Sequence, residues 1–215
     1  MRRLSPIAAW LLACLWMPSP VAAAEAGPAA LIAGLKRDLP ARTPYTEVRF
    51  AQMFDRPTIA RGELEYLGPG RLGKRVDAPY HETTSIADGQ VKVQRGERKP
   101  REIALGQIPE LEGFLRGFSA LLGGDAATLE RDFSVTARND AARWRLELAP
   151  KDARLARRVA SIVVDGAGKA ARCFTINDAD GDSSVMLVEA LAAAELPKPL
   201  TAHNLDLVCR GALAK

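Results

Sequence analysis

The chain has 215 residues, with 30 Lys and Arg against 26 Asp and Glu, 2 histidines and 3 cysteines. A charge this near balance leaves no electrostatic footprint for nucleic acid, and 47% hydrophobic residues over this length are enough for a sizeable core.

Arg2 and Arg3 open the chain, an apolar run follows from Ile7 to Met17, and Pro18 and Pro20 break it. The small residues of VAAAEA come next. This is the pattern of a secretion signal, with cleavage expected after Ala24 and Ala26 as second choice. The run is too short for a permanent membrane span. Cys14, in LLAC, loosely resembles a lipidation signal, but Leu12 fits it poorly and we read an ordinary signal-sequence cysteine. Residues 1–24 are therefore expected to be a signal peptide and 25–215 a single domain.

A helix leads this domain, with Ala30, Leu31, Ala33, Gly34, Leu35 and Leu39 on one face and Pro40 as its stop. VRFAQMF predicts a strand over 48–54 with Val48, Phe50, Gln52 and Phe54 facing one way. GELEYL alternates Leu64 and Tyr66 with Glu63 and Glu65, and GPG turns the chain into a strand ending near Val76. TTSIADGQVKVQ predicts a hairpin, because Asp88-Gly89 suits a turn whose central residues need positive φ. The basic stretch Arg95 to Arg101 reads as its solvated continuation, and REIAL as a short strand.

Pro109 can start a second helix, where Leu111, Phe114, Leu115, Phe118, Leu121 and Leu122 recur at three and four residues before Gly123-Gly124. Asp125 can cap a third, short one. Strands then return in RWRLEL, VASIVVDG, AARCFTIN and SSVMLVEA. About eleven strands with few helices predict an α+β fold with an antiparallel, curved sheet or partial barrel.

FTINDADGDSSVMLV carries three aspartates and a glycine in five residues. Set at the sixth place of a calcium loop, Gly181 puts Ile176 and Leu187 where the outer ligands belong. We therefore read strand, turn, strand, with solvated acids of ordinary pKa and no metal site. His81 and His203 lack partners at metal-ligand spacing, and no HExxH, CxxC or GxSxG occurs. We expect no enzyme and no cofactor. In an oxidising compartment the pair Cys173 and Cys209 reads as one disulfide, two buried thiols being the alternative.

What remains is apolar. Phe114, Leu115, Phe118 and Leu122 on the helix would face Phe50, Phe54, Leu64, Tyr66, Ile86, Val91, Trp144 and Leu146 on the strands. A packed core and a ligand cavity both satisfy this pattern. A wide curved sheet under one helix favours the cavity, because side chains alone do not easily fill its concave side.

Several stretches in order carry a family resemblance. They are FAQ, Gly62, Leu64, Tyr66 and Pro69 as G-x-L-x-Y-x-x-P, ADGQVKV, the Leu/Phe helix with LLGGD, RWRLELAP, IVVDGAGK and the final DGD. Over about residues 28–190 the chain resembles LolA, the periplasmic carrier of outer-membrane lipoproteins. It is closer to the shorter LolA-like proteins of lipid, fatty-acyl or pigment export clusters. The resemblance implies an unclosed β-barrel with a helical lid over a cavity for acyl chains. It also implies a periplasmic monomer that moves lipid or acylated cargo from an inner-membrane donor to an outer-membrane acceptor. Gly68 stands where the lipoprotein carrier has an arginine tying lid to sheet. This favours an acylated or polyene-like lipid over general lipoprotein cargo. A sensor domain of the same fold, binding an envelope regulator, is the alternative.

Overall fold

A computed structural model describes residues 27–140 and 142–212. The signal-peptide and Cys14 readings lie outside them. After the short helix α1 (Pro28–Gly34) come β1 (Ala41–Phe50), β2 (Thr58–Gly68), β3 (Arg71–Ala78), β4 (Glu82–Ala87), β5 (Gln90–Arg95) and β6 (Arg101–Ala104). Helices α2 (Pro109–Gly123) and α3 (Ala126–Asp132) interrupt the strands. Then follow β7 (Phe133–Asp140), β8 (Arg143–Pro150), α4 (Ala153–Ala156), β9 (Val159–Ala167), β10 (Ala170–Asp178), β11 (Ser183–Val188) and α5 (Ala202–Arg210).

All eleven strands form one antiparallel sheet in the order β6-β5-β4-β3-β2-β1-β11-β10-β9-β8-β7. Two meanders thus meet where β1 pairs with β11, Tyr45 opposite Val188. The outer strands β6 and β7 do not pair with each other, so the barrel is unclosed, as expected. Asp88 and Gly89 both take positive φ between β4 and β5, the conformation their hairpin turn requires.

Alternation places two apolar sets on the two faces. The concave face carries Tyr45, Leu146, Leu148, Val164 and Phe174, packed with Leu121 and Leu129 of the helices and Phe133 at the start of β7. The convex face carries Val48, Val185 and Leu187 with Leu205 of α5. Cys173 of β10 and Cys209 of α5 are joined by a disulfide inside this second cluster. Its loop closes over a separation of 36 residues, and such a loop constrains the unfolded chain by about 3–4 kcal/mol.

Three elements differ from expectation. Helix α1 ends at Gly34, and Leu39 is exposed, because the Arg37 amide already donates to the Leu122 carbonyl on α2. Strand β1 starts at Ala41 rather than Val48 and stops at Phe50. Pro44 is tolerated because β11 pairing begins only at Tyr45. Helix α5, for which no element was expected, is capped by the Thr201 hydroxyl accepting from the Asn204 amide and ended by Gly211 in the left-handed region.

Candidate functional site

Helix α2 lies over the concave face and is positioned by its own sequence. Pro109 sits in the first turn, Glu110 and Glu112 complement the helix N-terminus, and Gly124 ends it with φ 70°. Gly117 lets it come close, since a Cβ there would lie 2.2 Å from the Phe133 ring. Ser119 fastens it to the β2–β3 turn. Its hydroxyl accepts from the Gly70 amide at 3.1 Å, and its carbonyl accepts from the Tyr66 hydroxyl at 3.3 Å.

Between α2 and the sheet lies a cavity of about 280 Å³. Of the residues selected from sequence, Leu64, Tyr66, Ile86, Phe114, Leu115, Phe118 and Leu122 line it. Phe118 stacks on Phe114 at 6.2 Å and meets the edge of Phe174 at 5.5 Å. Leu72, Ile162, Phe174, Ile176, Met186 and Val188 complete the apolar wall. They were not singled out because their strands look alike on both faces.

The other candidates lie elsewhere. Phe50 points to the convex cluster, because the concave positions of β1 are Ala41, Thr43, Tyr45 and Glu47. Phe54 is 55% exposed in a turn whose amide bonds back to Ala51. Val91 is buried beside Ile86 beyond the cavity, toward the β6 edge. Trp144 and Leu146 belong to the solid core. The Trp144 ring occupies the space over Gly166, and its N–H donates to the Gly168 carbonyl at 2.8 Å.

One wall is polar, which the sequence reading missed. Lys74 Nζ donates to Glu47 Oε2 at 2.5 Å, and the Ser184 hydroxyl donates to Glu47 Oε1 at 2.6 Å. Burial pushes the Glu47 carboxyl up, but the Lys74 charge and these hydrogen bonds more than offset it, leaving its pKa below the ordinary value. Arg37 pairs with Glu189 and also reaches Thr43 Oγ1 at 3.4 Å. The Lys74 ammonium sits 5.2 Å from the centre of the Tyr45 ring.

Tyr45 is 1% exposed, and its hydroxyl has no hydrogen-bond partner among the described residues. Burial first, then the Glu47 charge, pushes its pKa up. An orphaned buried hydroxyl costs stability. Tyr45→Phe keeps the ring under Lys74 and should raise the melting temperature by about 2–4 °C, near 1 kcal/mol. A fall of that size in a thermal melt would mean that the hydroxyl is bonded after all.

The acidic turn is less solvated than expected, because it is tied to the end of β1. Arg49 lies 3.3 Å from Asp178 and 3.6 Å from Asp182. The Gln52 amide donates to Asp182 Oδ1 at 2.9 Å, and its side chain donates to the Asp180 carbonyl at 2.6 Å. Partial burial raises the Asp178 pKa against the pull of Arg49. Among the described residues, no group of three or more His, Cys, Asp or Glu is placed to hold a metal. His81 and His203 are both exposed, and neither lines the cavity. Among the described residues, no helix is long and apolar enough to cross a membrane.

The family described as outer membrane lipoprotein carrier protein LolA-like matches residues 20–212. No curated protein matches the chain. Among solved structures, a LolA superfamily protein from Nitrosomonas europaea is 11% identical, with a TM-score of 0.42 over 80% of this chain and 95% of its own. A DUF1329 family protein from Desulfovibrio piger is 10% identical, with a TM-score of 0.40 over 82% and 95%.

Proposed function

The chain belongs to the LolA-like family of outer membrane lipoprotein carriers, and from that premise we propose that it shields the acyl chains of a lipid or lipidated cargo in transit. The observation that carries this reading is the apolar cavity between α2 and the concave sheet. Each buried CH₂ contributes about 0.8 kcal/mol, so an acyl chain leaves a membrane at useful rates only if a partner covers it. Shielding needs binding alone, so no catalytic group or cofactor is assigned. Residues 1–24 direct export and are removed, 25–215 act as one domain, and the working compartment is the periplasm. An inner-membrane donor loads the carrier and an outer-membrane acceptor unloads it.

With Gly68 at the end of β2, the two hydrogen bonds at Ser119 take the place of a side-chain latch on the lid. At about 280 Å³ the cavity falls just below the roughly 300–1,000 Å³ of small-molecule sites. It takes one acyl chain as it stands, and more only if α2 swings outward. The test is purification of the mature protein without detergent, followed by lipid mass spectrometry. An acyl lipid should accompany the protein in near-stoichiometric amount. Protein that emerges lipid-free and binds no apolar fluorescent reporter would refute the carrier reading.

A further inference from the structure

The polar wall of the cavity has a use that shielding alone does not supply. An ion pair set into an apolar surface loses hydration, and apolar residues of similar volume would line an acyl site at no such cost. Each oxygen of the Glu47 carboxylate already accepts one hydrogen bond, from Lys74 on one and from Ser184 on the other. Lys74 is not. Of its three N–H donors one goes to Glu47, and the Tyr45 ring flanks the ammonium, yet the side chain is still 35% exposed in the cavity lining. It stands in one row of the concave face, between Leu64 on β2 and Thr84 on β4. The wall therefore offers surplus donors on Lys74, while the Glu47 charge is paired and both its oxygens are engaged.

Resting on the carrier reading, we propose that the cavity takes a single-chain amphiphile whose head presents an oxygen acceptor to Lys74. That acceptor is an ionised carboxylate or an ester carbonyl. The chain lies against Phe118 and Phe174 while the head sits at the Glu47–Lys74 pair. A cationic head of the same length faces Lys74 with its best acceptor already taken, and a bare hydrocarbon leaves the donors desolvated.

The test uses an apolar fluorescent reporter displaced by three ligands of one chain length: laurate, monolaurin and dodecylammonium. They are compared below their aggregation concentrations at about pH 8, where the first is anionic and the last cationic. In wild type, laurate and monolaurin should displace the reporter at concentrations at least about tenfold lower than dodecylammonium. Whichever of the two binds tighter identifies the acceptor, and either result supports the proposal. Lys74→Met frees the Glu47 carboxylate and should reverse the order, with dodecylammonium displacing the reporter at the lowest concentration. The double variant Glu47→Gln, Lys74→Met removes the pair as a unit, leaves no unpaired charge, and should bring all three ligands to similar affinity. Equal affinities in wild type, or a preference that survives in the folded double variant, would overturn the head-group assignment while leaving the carrier intact. Absence of any reporter or ligand binding would overturn both.

Discussion

Phe118→Arg should abolish reporter binding and leave the sheet folded. Phe118 is only half-buried, and its ring stands between Phe114 and Phe174 on the cavity wall. The anchoring of α2 lies elsewhere on the helix, in Gly117 against Phe133, in Ala120 and Leu121, and in the Ser119 hydrogen bonds. An arginine at 118 either fills the cavity with a charged chain or reaches out past the lid. In both cases the apolar space is lost, and affinity for an apolar reporter should fall by about a hundredfold or more, near 3 kcal/mol. Because the guanidinium has a route to water, the loss of stability should stay under about 3 kcal/mol, some 6–12 °C in melting temperature. Far-UV circular dichroism, a thermal melt and a reporter titration read these together. A globally unfolded variant would mark Phe118 as part of a solid core, and unchanged titration would place the reporter somewhere else.

Gly62→Ala should be among the most damaging single-methyl changes in the molecule. A Cβ at Gly62 would lie 1.8 Å from the Arg75 carbonyl oxygen and 2.8 Å from its carbon. Those are backbone atoms of the adjacent strand, so no side chain can swing aside. The β2–β3 register shifts at this point, with Arg61 opposite Ala78 and Gly62 opposite Val76, and the irregularity brings the two backbones together. Relief requires prising β2 from β3 under Tyr45. We expect a loss of about 3 kcal/mol or more, or a protein that fails to accumulate. Gly73→Ala is the matched control in the same pair of strands. Its Cβ would meet only the Glu65 side chain, nearest at 3.0 Å, which can move, so the cost should be about 1 kcal/mol or less. Comparable melting temperatures for the two variants would remove the explanation.

These two sites also mark what was legible in the sequence. Gly62 was singled out as part of a pattern, and the structure supplies its reason. Phe114 and Phe118 follow from helical spacing, since a 15-residue amphipathic helix has one apolar side and it must cover something. Strand alternation is weaker evidence. It separates two faces but does not say which is concave, and β1 has apolar partners on both. Phe50 was therefore placed on the wrong side, while Tyr45, directly after Pro44, went unnoticed. Glu47 and Lys74 are 27 positions apart and sit on strands separated by β2, so only the register joins them. Helix α5 escaped notice because Pro197 and Pro199 precede it and only Leu205, Val208 and Cys209 of its short span join the convex cluster.

The disulfide and α5 act on the cavity from behind. They brace the outside of β10 and β11, the strands whose inner side supplies Phe174, Ile176 and Met186. The opposite boundary is α2, held through Gly117, Ala120, Leu121 and the Ser119 hydrogen bonds. The chamber is thus a caliper whose sheet-side jaw is clamped by a covalent bond and whose helical jaw is set by packing and hydrogen bonds alone.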